Sequence, residues 1–294
     1  MMDGATRPSP LVPPRDGHRT RVAALVAAAS IEISPRDELA GEKLRDLFAP
    51  GTTVFINHPA SVTHHDIVAA CAKLRRAGFT PVPHIAARRL ASFTQANDFL
   101  RRAAGEAEVT AALLIAGDPD LPAGPFPDSL ALLASGVVER HGLRRVAFAG
   151  YPEGHPNIGA AVLAGSLRSK IELACRNGLG VWLVTQFGFE AAPIKRWIAA
   201  LRADGIECPV RVGIAGPASV MTLAKFAVRC GVGASLRALA RGHTAFARIL
   251  VEARPDAVID TLVASEDVGA PIDALHVFTF GGVRATAKWI EALR

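Results

Sequence analysis

Glu32 sits in the run Ser30-Ile31-Glu32-Ile33-Ser34-Pro35, a carboxylate between two isoleucines. An ionised side chain taken out of water without a partner is expensive, so this glutamate is a candidate proton donor or acceptor. The same hexapeptide also suits a surface glutamate on an edge strand, or a structural ion pair. Further along the chain come Asn57, His84, Asp118, Tyr151, His155 and Gln186. Four of these have a plain structural alternative: His84 as a satisfied core histidine, Asp118 as a cap or turn residue after Gly117, Gln186 as a loop amide, and Asn57 with His58 and Pro59 as a turn.

The elements that must position these groups alternate along the chain. Short β-branched runs are predicted as strands at Ile31–Ser34, Thr53–Ile56, Pro83–Ile85, Ala112–Ile115, Val146–Ala149, Val181–Thr185, Val210–Ile214 and His276–Phe280. Between them, segments of helical period fall near 64–77, 92–104, 128–141, 160–177, 191–204 and 219–230, then over 233–264, with a last helix at Ala285–Leu293. Eight strands with interposed helices predict a (β/α)8 TIM barrel in one domain over 21–294, after an N-terminal arm of residues 1–20 that carries four prolines. An open doubly wound sheet is the alternative, but no Gly-x-Gly-x-x-Gly joins a strand to a helix. In the barrel, Glu32, His84, Asp118, Tyr151 and Gln186 all fall within or just beyond strands, where the carboxyl rim carries active sites.

Composition narrows the class. The formal charge of +6 comes from scattered arginines, and with 6% aromatics there is little to stack bases, which argues against nucleic acid and suits an anionic small molecule. No apolar run approaches the roughly 18 residues of a membrane span, so a soluble, cytoplasmic protein is expected, with a homo-oligomer possible. Cys71, Cys175, Cys208 and Cys230 are widely separated and read as reduced, buried thiols. His64-His65-Asp66 hints at a metal, but neighbouring histidines on a helix point apart, so Thr63 capping a helix is preferred and no metal is expected.

Gly150-Tyr151-Pro152-Glu153-Gly154-His155-Pro156 contains the single tyrosine of the chain. It resembles the Tyr-Pro-Glu-x-His-Pro motif of the methylenetetrahydrofolate reductases. Ser30-Ile31-Glu32 is similar to that family's first-strand Phe-Glu-Phe, Pro83-His84 to its Pro-His-Leu-Thr, and Gly117-Asp118-Pro119 to its Arg-Gly-Asp-x-Pro. Thr185-Gln186-Phe187 resembles its Thr-Gln-Phe, Pro209 to Pro217 its Gly-Ile-x-Pro strand, and His276 to Gly282 its His-Phe-Tyr-Thr-Leu strand end. The resemblance implies a barrel that passes hydride from NADH or NADPH, by way of FAD, to 5,10-methylenetetrahydrofolate, giving 5-methyltetrahydrofolate. It makes Glu32 the general acid, with a pKa raised by its apolar surroundings, and Asp118 a catalytic residue near pterin and flavin. Gln186 holds the pterin edge, with Phe187 and Thr222 as further substrate contacts; Phe187 and Phe189 suit either ring stacking or core packing. Asn57, His84, Gly117, Tyr151, His155 and Lys170 fall to the flavin or nicotinamide.

The chain departs from the family before Lys170. Leu163, Ser166 and Ser169 stand where the family carries an aspartate, an asparagine and a basic residue; Ala116 replaces an arginine, and Gly281-Gly282 an Asn-Arg, with Arg284 two positions on. These losses predict weakly bound FAD, or hydride delivered directly from the nicotinamide, unless Arg168 or Arg88 takes over. A non-catalytic folate-binding barrel and a methyltransferase compete with the reductase at this point.

Overall fold

Side chains alternate across a strand, and that alternation explains the apolar setting of Glu32. Ile31 and Ile33 turn outward and are completely buried against the helical shell, while Ser30 and Glu32 turn inward. In a computed structural model that describes residues 15–37, 41–232, 255–264 and 272–294, the strands are β1 Ser30–Ile33, β2 Thr53–Ile56, β3 Thr80–Ala86, β4 Ala111–Ile115, β5 Arg145–Gly150, β6 Gly180–Thr185, β7 Val210–Ala215 and β8 Ala274–Phe278. They form one closed parallel barrel in sequence order, with β8 returning to β1 so that Ser30 lies opposite His276. This is the expected (β/α)8 architecture.

The helices are α1 Arg15–Ala27, α2 His64–Arg76, α3 Phe93–Ala107, α4 Ser129–Ala134, α5 Ala160–Arg176, α6 Ala191–Ala203, α7 Val220–Cys230, α8 Pro255–Val263 and α9 Val283–Ala292. Several start at side-chain caps: Thr63 and Asp66 form a capping box on α2, Ser92 caps α3, Asp128 α4 and Ser219 α7. Two apolar layers result. Val54, Ile67, Leu114, Phe148, Ile194 and Val277 belong to the layer between sheet and helices, while Phe55, Val82, Leu113, Ala147 and Val184 fill the barrel itself. Arg145 and Arg211, near the starts of β5 and β7, lie over the Trp182 ring at 5.3 and 4.9 Å.

Several sequence expectations are corrected. β3 begins at Thr80 although it contains Pro81 and Pro83; its ladder to β4 starts only at His84, past both residues that have no N–H to give. The helix expected over 128–141 ends at Ala134, and Gly136 turns the chain at φ +70°. α1 takes in residues 15–20 of the expected arm, with His18 Nε2 3.0 Å from Asp260 Oδ1 on α8 and Arg21 donating to the Ile272 carbonyl at 2.7 Å. Of the helical region expected over 233–264, residues 233–254 lie outside those described. The four cysteines differ: Cys71 is buried, Cys175 exposed, Cys208 and Cys230 intermediate. No described helix is long and apolar enough to cross a membrane.

Candidate active site at the carboxyl rim

β1, β3 and β8 bring three ionisable groups together inside the barrel. Glu32 Oε2 lies 3.3 Å from His84 Nε2 and 3.5 Å from His276 Nε2. Asn57, just beyond β2, donates from Nδ2 to Glu32 Oε1 at 3.5 Å. His276 is fully enclosed, and its other ring nitrogen, Nδ1, lies 3.0 Å from the hydroxyl of the equally buried Ser30. When Ser30 donates to Nδ1, the ring carries its own proton on Nε2, facing the carboxylate. Thr279 fixes the backbone at the acid by donating from Oγ1 to the Glu32 carbonyl at 2.7 Å.

The electrostatics reverse one expectation. Burial pushes the Glu32 carboxyl up, but the close approach of the His84 and His276 imidazoles outweighs it and holds the group well below the usual carboxylate range. Apolar flanking residues predicted a raised pKa because the sequence hides both imidazole partners. His276 is pushed down by burial, against the pull of Glu32, and His58 is pushed down to about 4 by burial with Arg89 and His84 nearby. Among the described residues, His84 Nε2, His276 Nε2, Asn57 Oδ1, His58 Nδ1 and Arg89 Nε are buried without an aligned hydrogen-bond partner. Unsatisfied polar atoms collected at one rim cost stability and mark a place where a ligand can supply the missing partners.

The adjoining part of the mouth, from β6 to β8, is aromatic. Phe187 packs edge-on to Phe189, Phe278 and Phe280 at 4.9 to 5.6 Å, and Phe226 stacks on Phe280 at 4.1 Å. Phe187 is 1% exposed, a core residue of this cluster. Gln186 Oε1 accepts from the Phe187 N–H at 3.1 Å. Tyr151 meets His155 edge-on at 5.3 Å, and burial pushes its phenol up. Cys230 lies close enough to Glu32, Asp118 and Gln186 for each to act on its thiol, and burial first among them pushes it up to about 11. The sequence reading missed Cys230 as a mouth residue, because it lies on a helix and nothing in its spacing links it to the rim.

Other expected site residues are engaged elsewhere. Asp118 is exposed on the rim, 3.7 Å from Arg89 and 3.6 Å from Arg229. Gly117 turns the chain at φ +94°, where a Cβ would meet Ala86 Cβ at 3.0 Å. The Thr222 hydroxyl pairs with Ser219 Oγ at 2.9 Å in the first turn of α7. Lys170 Nζ lies 5.6 Å from the centre of the Phe148 ring, on the outer face of β5, and burial pushes its ammonium down. Arg168 pairs with Asp204 at 3.0 Å, and Arg88 donates to the Pro127 and Pro119 carbonyls. Neither arginine replaces the anchors missing from α5. With Leu163, Ser166 and Ser169 in place of polar and basic groups, and Lys170 against an aromatic ring, the α5 residues do not fit a dinucleotide phosphate.

A second cluster combines two histidines and a carboxylate outside the barrel. His64, His65 and Asp98 present ligand atoms within 4.8 Å of one another, and the two histidine rings are 3.9 Å apart, so these neighbours do not point apart as expected. Arg101 holds Asp98 at 2.6 Å, and Arg102 packs on His65 Nδ1. A cation there would face two guanidinium groups and the positive end of α2; the cluster is a polar tie between α2 and α3.

No protein-family model matches the chain. Among solved structures, the chain is similar to an uncharacterized protein from Clostridium thermocellum that binds two copies of 5-methyl-5,6,7,8-tetrahydrofolic acid, with a TM-score of 0.58 and 12% identity over 93% of this chain and 96% of that one. Dihydropteroate synthase from Thermus thermophilus aligns at a TM-score of 0.46 and 16% identity, over 90% of this chain and 92% of that one. At these identities the likeness is one of fold. The molecule is thus a (β/α)8 barrel with a buried acid–base cluster at its carboxyl rim.

Proposed function

We propose that the chain interconverts 5,10-methylene- and 5-methyltetrahydrofolate, with Glu32 as the proton carrier and NADH or NADPH as the hydride source. The observation that carries this reading is the buried Glu32–His84–His276 cluster with Asn57 on its open oxygen. The motif resemblance around Tyr151 and the tetrahydrofolate bound by the Clostridium thermocellum protein support it.

In the reductive direction Glu32, protonated from solvent once the folate covers it, passes that proton to N10 of the folate, and the bond from N10 to the bridging carbon breaks. This leaves an iminium at N5, and hydride from the nicotinamide adds to the bridging carbon, giving the 5-methyl group and the oxidised nicotinamide. Glu32 is held ionised in the open cluster, and a ring seated against it adds desolvation, which works upward on its pKa. Ser30, 3.0 Å from His276 Nδ1, orients the ring whose Nε2 faces the carboxylate. Because α5 lacks the anchors that the resemblance assigns to the flavin, the reading takes hydride directly from the nicotinamide, whose own phosphates are held elsewhere.

The test is anaerobic mixing of the purified chain with NADH and 5,10-methylenetetrahydrofolate, without added flavin. NADH consumption that requires the folate is the expected result. A protein that binds 5-methyltetrahydrofolate but consumes no NADH, with or without FAD, is a carrier, and the catalytic reading fails.

A further inference from the structure

The helix after β7 buries less of itself than the well-packed α2. α7 buries only Ala227 of its eleven residues, whereas α2 buries Ile67, Val68, Ala70, Cys71, Ala72 and Leu74. Val220, Met221 and Val228 on it are exposed. What α7 touches is the rim. Phe226 stacks on Phe280 beyond β8 at 4.1 Å with planes 14° apart. Arg229 Nη2 reaches Asp118 Oδ2 beyond β4 at 3.6 Å. Gly231, at φ +65°, packs so closely on Pro156 beyond β5 that a Cβ would come within 2.4 Å of Pro156 Cδ. The helix therefore runs across the mouth, from the β8 side to the loops after β4 and β5.

Beneath its far end, Val232 closes a cavity lined by Tyr151, Gln186 and Phe187 with about 10 Å³ of free volume. That is room for about one water, whereas pockets for ligands of drug size run to about 300–1,000 Å³. Apart from that cavity, the Glu32 side chain is itself only 14% exposed. With so little of the carboxylate uncovered, a ring system has only a small part of the acid open to it.

We infer that α7 is a lid, latched across the mouth by the Asp118–Arg229 ion pair and the Phe226–Phe280 stack, which must lift to admit a ligand to Glu32. The inference deepens the function proposed above, since the site it covers is the site of that reading. The latch suits a lid that opens often: Asp118 and Arg229 are both mostly exposed, and such pairs are weak and screened by salt. Asp118 also pairs with Arg89, so the β4 loop keeps a partner when Arg229 leaves. Cys230, on the mouth side near Gln186, is a built-in reporter of the lid.

The experiment is alkylation of the native protein by iodoacetamide, followed by mass-spectrometric mapping, with exposed Cys175 as the internal standard. Cys230 of the wild type is expected to react slowly, about two- to fivefold faster in Arg229→Ala, the range set by a weak surface pair, and faster with added salt in the wild type only. The Arg229 charge favours the thiolate, so its loss alone would slow alkylation; a faster reaction reports opening. Equal Cys230 rates in wild type and Arg229→Ala, both indifferent to salt, overturn the lid even when calorimetry shows folate binding. Acceleration in Arg229→Ala without folate binding upholds the lid and removes the folate reading.

Discussion

The two sides of the barrel mouth are built on opposite principles. On the β8–β1–β3 side, Ser30, Glu32, His84 and His276 bury charge and leave imidazole nitrogens without aligned partners. On the β6–β8 side, Phe187, Phe189, Phe278 and Phe280 satisfy one another by packing edge to face. An aromatic cluster gains stability from its own contacts, while a half-satisfied polar cluster gives stability up. The difference separates the part of the mouth whose contacts stabilise the fold from the part that leaves polar atoms open to a ligand.

Substitutions on the two sides should therefore do opposite things. Glu32→Gln is expected to lower turnover by about a hundredfold or more, the usual range for loss of a positioned acid, while calorimetry with 5-methyltetrahydrofolate shows binding retained. Unchanged turnover would place the chemistry elsewhere. Phe187→Ala should instead cost about 3–5 kcal/mol of stability in urea unfolding, because a fully buried ring leaves a cavity. A loss below about 1 kcal/mol would show the aromatic side to be loosely packed and available to ligand.

The pH dependence of stability sharpens the same contrast. Glu32 has a folded pKa held below its ordinary value of 4.5, so its stabilising contribution is present above that value and is lost as pH falls through the folded pKa. Urea unfolding below pH 4 should show a steeper loss for the wild type than for Glu32→Gln, and parallel curves would contradict the burial of a paired carboxylate. The smallest effect is expected for Arg168→Ala: the pair with Asp204 is half exposed, so stability should change by about 0.5 kcal/mol or less and turnover not at all. A large loss of turnover there would restore Arg168 as an anion anchor.

The barrel was legible in the sequence because its signal is local. β-branched runs and helical periods recur in each unit, and the eight strands fall near their predicted positions. The misplaced boundaries have local causes of another kind, such as the prolines in β3 and the turn at Gly136. Glu32 and His84 were visible as single residues, but their meaning was not. The approach of His276 to Glu32 exists only because β8 closes on β1, and together with His84 it reverses the expected pKa of the acid. Lys170, Arg88 and Arg168 looked like anion ligands by type and place; their partners, an aromatic ring, two carbonyls and Asp204, appear only once α5 and the loops are packed.

The central claim is that Glu32 is a paired carboxylate that takes up a proton when a folate ring covers it. NMR titration of the ¹³C-labelled carboxyl, assigned with Glu32→Gln, tests it most directly, without ligand and with saturating 5-methyltetrahydrofolate. The account predicts a pKa below 4.5 in the free protein and a rise when the ligand is bound. An ordinary value that the ligand leaves unchanged would contradict it.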